Sequence, residues 1–141
     1  MNKPAVGELF PSPAEETARR HKRIVVVSSD RAYAESLRSH LAQEFDVLLA
    51  RNAGEAAAKS QAVPIHVAVV DLGSPILGIS ALARLAQSKP PAIICALVSP
   101  EAPSARHQFE FDYVLARPDT GADLPERIRF ILAKAESKAD A

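Results

Sequence analysis

The stretch Ile65-His66-Val67-Ala68-Val69-Val70-Asp71, followed by Leu72-Gly73-Ser74-Pro75, decides how this chain is read. Apart from His66 the run is apolar on both parities, as a parallel strand covered on both faces must be. It ends on a carboxylate. Ligands in an open α/β sheet bind outside the carboxyl ends of the strands, so Asp71 stands where chemistry is expected.

The same signal recurs on either side. Ile24 to Val27 is a second fully apolar run, followed by capping residues Ser28-Ser29-Asp30 and a helix with Ala34, Leu37 and Leu41 on one face. Val47 to Ala50 is a short strand. Asn52 caps an alanine-rich helix from Ala53 to Ser60, and Pro64 closes that connection. Beyond Asp71, the residues Ile79, Leu82, Ala83 and Leu85 mark a helix that Pro90-Pro91 ends. A strand from Ala92 to Val98 follows, then a short, weak helix from Pro100 to Gln108 and a strand from Phe111 to Ala116. The last helix runs from Leu124 to Lys138, with Ile128, Ile131, Leu132 and Ala135 on one face. Five strands alternating with helices imply parallel pairing through right-handed crossovers. The spacing predicts a flavodoxin-like, doubly wound five-stranded sheet of order 2-1-3-4-5. In that order Ser28, Ser29, Asp30 and Asp71 line one crevice at the switch point, and Arg117 faces it from the end of the fifth strand.

The 141 residues suit one domain, here residues 23–138, between an extension at 1–22 and a tail at 139–141. In the extension, Ser12-Pro13-Ala14-Glu15 carries the marks of a helix start. Apolar residues make up 48%, enough for a core, and 17 basic residues balance 17 acidic ones. The balance gives no electrostatic pull toward nucleic acid or an anionic membrane. The cluster Arg19-Arg20-His21-Lys22-Arg23 follows Glu15 and Glu16 and reads as a solvated helix end. A lone cysteine, Cys95, excludes an intrachain disulfide and lies in an apolar run, where a buried, inert thiol is expected. With no signal region and no membrane-length apolar run, the expected location is the cytoplasm. His66 reads as a hydrogen-bonded strand histidine and His107 as exposed. No nucleophile elbow surrounds Ser28 and Ser29, and no glycine-rich nucleotide loop or Cys/His metal cluster occurs.

Asp71-Leu72-Gly73-Ser74-Pro75 with Arg117-Pro118 resembles the response-regulator receiver (CheY-like) family, over about residues 23–138. In that family Asp71 would be the phosphoacceptor, an acidic pair after the first strand would help it hold Mg²⁺, and a Lys-Pro would end the fifth strand. Here the acidic-pair positions read Ser28-Ser29, the following Asp30 is the only acid, and Arg117 stands for the lysine. Serine hydroxyls are poor Mg²⁺ ligands, so only Asp30 with Asp71 could form a weak metal site. Asp30 reads better as a helix N-cap. Arg117 suits a standing ion pair with Asp71, because its planar fork is not equivalent to lysine. Ser99 is the candidate switch hydroxyl. Tyr113 is the candidate switch aromatic, one residue too far from Arg117, which leaves Val114 in that slot unless a bulge intervenes. Gly78 matches the loop glycine one residue early.

These departures point to a degenerate, stand-alone receiver without enzymatic activity or cofactor. It would signal through protein contact, with a histidine kinase or a downstream effector as partner and a homodimer left open. The contact surfaces expected are the side formed by the first and last helices, the region from residue 100 to strand five, and the extension. Two alternatives stand beside this reading: a phosphorylatable receiver with Asp71 as acceptor, and a small ligand-binding flavodoxin-like domain using the same crevice.

Overall fold

The computed structural model describes residues 22–73, 78–88, 91–98, 111–117 and 122–140, without the side chains of 137–140. The expected helix start at Ser12-Pro13, the weak helix at 100–108, and Ser99 and His107 lie outside the described residues.

Strands β1 (Arg23–Val27), β2 (Asp46–Ala50), β3 (Val67–Asp71), β4 (Ile93–Val98) and β5 (Tyr113–Ala116) form one sheet of order β2-β1-β3-β4-β5. Every pairing is parallel. The β1, β3 and β4 sequences are almost wholly apolar because both faces are covered. On one face, Val25, Val27, Ala68, Val70, Ile94 and Ala96 pack under helix α2 (Ala53–Ala62) and the short α3 (Leu82–Ala86). On the other face, Ile24, Val26, Val67, Val69, Cys95 and Leu97 pack under α1 (Arg31–Leu41) and α4 (Leu124–Asp140). None of the described helices is long and apolar enough to cross a membrane.

The helices follow their local signals. Asp30 caps α1 by accepting from Tyr33 N, and Ala34, Leu37 and Leu41 are its buried residues. Asn52 caps α2 through Glu55 N. The helix expected around Ile79–Leu85 is shorter than its apolar spacing suggests. It opens as a 3₁₀ turn, Ile79–Ala81, behind a left-handed Gly78 (φ 66°) that supplies no side-chain cap, and becomes α-helical only over Leu82–Ala86. Strand β3 begins at Val67, two residues later than its apolar run. Its base is already anchored: His66 N donates to Arg23 O, Ile93 N donates to His66 O, and His66 Nδ1 accepts from Arg23 N at 2.9 Å. His66 is therefore hydrogen-bonded as expected, but it stands just before the strand and not within it.

Candidate functional site

Strand parity assembles the site. Side chains alternate between faces along a strand. Ser28 continues the parity of Ile24 and Val26, Asp71 that of Val67 and Val69, and Arg117 that of Tyr113 and Leu115, all on the α1/α4 face. The register places Asp71 beside Leu97, and Leu97 beside Leu115. The three polar residues thus cap one face of the sheet at its carboxyl edge. Asp71 is 0% exposed and Ser28 is 2% exposed.

A buried carboxylate requires donors, and Asp71 has four among the described residues. Oδ1 accepts from Gly73 N at 2.9 Å and Arg117 Nε at 2.8 Å. Oδ2 accepts from Ser28 Oγ at 2.8 Å and Arg117 Nη2 at 3.4 Å. A carboxylate offers about four lone-pair sites, so these donors occupy its acceptor capacity. The Ser28 hydroxyl in turn accepts from Asp30 N at 3.1 Å, and of its two acceptors, Asp71 Oδ2 at 2.8 Å and Asp30 O at 3.3 Å, the carboxylate is the nearer and the charged one. Arg117 is held from a second direction, with Cζ 3.7 Å from the centroid of the Tyr33 ring, a cation–π contact. Its pKa is raised by the hydrogen bond to Asp71, with the charges of Asp71, Tyr33 and Asp30 adding to that effect against burial.

The structure separates the other candidates. Ser29 and Asp30 are exposed and do not line the crevice with Ser28, because the strand ends at Val27 and the chain turns into the helix. Asp30 spends Oδ1 on the Tyr33 amide as an N-cap. One carboxylate saturated by donors, one neutral hydroxyl and one capping carboxylate do not fit Mg²⁺, which demands near-octahedral oxygen ligands. No group of three or more His, Cys, Asp or Glu among the described residues could hold a metal ion. Tyr113 pairs with Cys95 without a bulge, so its ring lies with the α1/α4 cluster. Val114, 43% exposed, takes the opposite parity. The parity that counted against Tyr113 as a switch aromatic is the one observed.

Two members of the cluster were not singled out from the sequence. Tyr33 sits in the first turn of α1, where an aromatic reads as ordinary amphipathic surface. Gly73 was only a variable place within the Asp71 motif. Arg117 lies at the carboxyl end of β3, between Asp71 and the Tyr33 ring. Among the described residues a cleft of about 230 Å³ lies beside the ends of β1 and β2, lined by Ser28, Arg31, Glu35, Leu49, Arg51 and Glu55. Its charges are partly spent internally, since Arg51 pairs with Glu55 at 3.3 Å.

No protein-family model matches the sequence. No curated protein matches it either. Solved structures do. A response regulator receiver domain protein (CheY-like) from Methanospirillum hungatei JF-1 superposes with a TM-score of 0.67 at 25% identity, over 83% of this chain and 98% of that one. A chain from the complex of the CheA3 P1 domain with CheY6 of R. sphaeroides gives 0.63 at 26% identity, over 79% and 97%. The response regulator TrrA of Thermotoga maritima, solved with Mg²⁺ and BeF, gives 0.62 at 23% identity, over 77% and 97%. By these structural matches the chain has the fold of response-regulator receiver (CheY-like) domains.

Proposed function

We propose that this receiver domain is a pseudo-receiver: it signals through contact with a partner protein and does not undergo Mg²⁺-dependent phosphorylation. The observation that carries this reading is the closed state of Asp71. An attacking carboxylate needs a free lone pair, a path for the phosphoryl group, and a cation to neutralise charge as the group approaches. At Asp71 the lone pairs face Gly73 N, Ser28 Oγ and Arg117, whose cation already stands beside the carboxylate. The positions where an acidic pair would stand hold Ser28 and Ser29.

The standing Arg117–Asp71 pair ties the end of β5 to the end of β3 without any modification. A surface set permanently in one arrangement suits a role that depends on presence rather than on phosphorylation. The match to a chain from a complex with a kinase P1 domain supports a histidine kinase, or an effector that reads one, as the partner class. No catalytic step is assigned to any residue, and the chain is proposed to be no enzyme.

The test is a titration of the ¹⁵N-labelled protein with Mg²⁺, then with Mg²⁺ plus beryllofluoride, which mimics a phosphoryl group on a carboxylate. The expected result is no saturable shift of the amides at 28–30 and 71–73. Saturable shifts there, absent in Asp71→Asn, would restore Asp71 as a phosphoacceptor.

A further inference from the structure

Gly73 carries no side chain, and the structure gives that absence a use. A Cβ built at position 73 falls inside van der Waals contact of Arg117 Nε and Cδ, and 3.0 Å from Asp71 Oδ1. The backbone of Gly73 is not what demands glycine, since the only positive-φ glycine among the described residues is Gly78. The demand comes from the arginine lying over it. The same guanidinium lies over the Tyr33 ring, and its Nε–H points to Asp71 Oδ1. Two residues that take no part in the ion pair therefore define where its cation can sit.

We propose that Gly73 and Tyr33 are positioning residues that seat Arg117 over Asp71, and that the bare backbone at 73 is what permits an arginine to close this site. The proposal rests on the closed-site reading and deepens it. A methyl group at 73 meets a flexible side chain, so the relief available is movement of Arg117 away from Asp71 while the sheet stays intact. Arginine's planar Nε–H donor makes the seat exacting: a small displacement breaks the alignment that a charge-assisted hydrogen bond needs.

The readout is the Arg117 side-chain Nε–H resonance in ¹H–¹⁵N spectra, assigned by its loss in Arg117→Ala. In the native chain it is expected to be dispersed and slow to exchange. In Gly73→Ala it should move to the position of free arginine and exchange about tenfold faster or more, the factor that one charge-assisted hydrogen bond is worth. Tyr33→Leu should accelerate exchange in the same direction, while Tyr33→Phe, which keeps the ring face, should leave it unchanged. In an Arg117→Ala/Asp71→Asn background, with the cation and the buried charge both removed, Gly73→Ala should lower the unfolding midpoint clearly less than it does in the native chain. An unchanged Nε–H signal in Gly73→Ala would overturn the proposal, and so would an equal loss of stability from Gly73→Ala in both backgrounds. None of these measurements uses a phosphodonor. A phosphorylated Asp71 would therefore contradict the functional reading alone, and an unmoved Nε–H would contradict the seating alone.

Discussion

Asp71 is buried beyond the reach of water, and its partners are what make that tolerable. Removing one member of a buried pair leaves an uncompensated charge and costs about 3–5 kcal/mol. The Arg117 side chain is 27% exposed, which places its truncation toward the low end. Arg117→Ala should therefore lower the unfolding free energy by about 3 kcal/mol in urea titrations. Arg117→Ala/Asp71→Asn should recover part of that loss, because the amide is neutral. A double variant no more stable than the single one would contradict this account of Asp71. The approach of Arg117 to Asp71 was readable from topology, whereas the sequence put Ser29 and Asp30 in the crevice beside Ser28 and the structure leaves them exposed. The contributions of Tyr33 and Gly73 were not readable, because each depends on the path of one side chain across a neighbouring element.

At the level of elements, two junctions carry their own tests. Asp30 ends the β1–α1 turn as an N-cap, and Asp30→Ala should cost about 1 kcal/mol, measured by chemical denaturation. Asp30→Asn, which can still accept from Tyr33 N, should cost a few tenths at most. At the opposite edge of the sheet, His66 Nδ1 accepts the Arg23 amide and joins the bases of β1 and β3. Its pKa is lowered from 6.5 by burial and by the charges of Lys22 and Arg23. A lowered folded-state value means that the unfolded chain binds the proton more readily. The contribution of His66 is present above about pH 6.5 and is lost as pH falls through the folded value. His66→Asn, which keeps an acceptor but does not titrate, should flatten that part of the stability–pH curve, and an unaltered curve would remove His66 as its source. Element boundaries were the least legible feature. Strand β3 starts late because His66 turns to Arg23, and the helix after Gly78 lacks a capping side chain and starts as 3₁₀.

At the level of the whole molecule, the doubly wound order was legible because alternation and the handedness of crossovers leave few arrangements for five apolar strands. Both faces of the central strands β1, β3 and β4 are covered, and Cys95 in β4 reports on that closure. Burial, with the charge of Asp112, pushes its thiol up to about 12. Cys95 should resist alkylation in the native protein and react only as fast as the sheet opens, so labelling should accelerate with added urea. Prompt labelling without denaturant would show that the two packed layers do not seal the centre. The functional assignment depends on one property of this assembly, that a receiver sheet presents its central aspartate already satisfied. The most direct measurement is intact mass after incubation with acetyl phosphate and Mg²⁺. The account predicts an unmodified chain. A phosphorylated species that disappears in Asp71→Asn would contradict it.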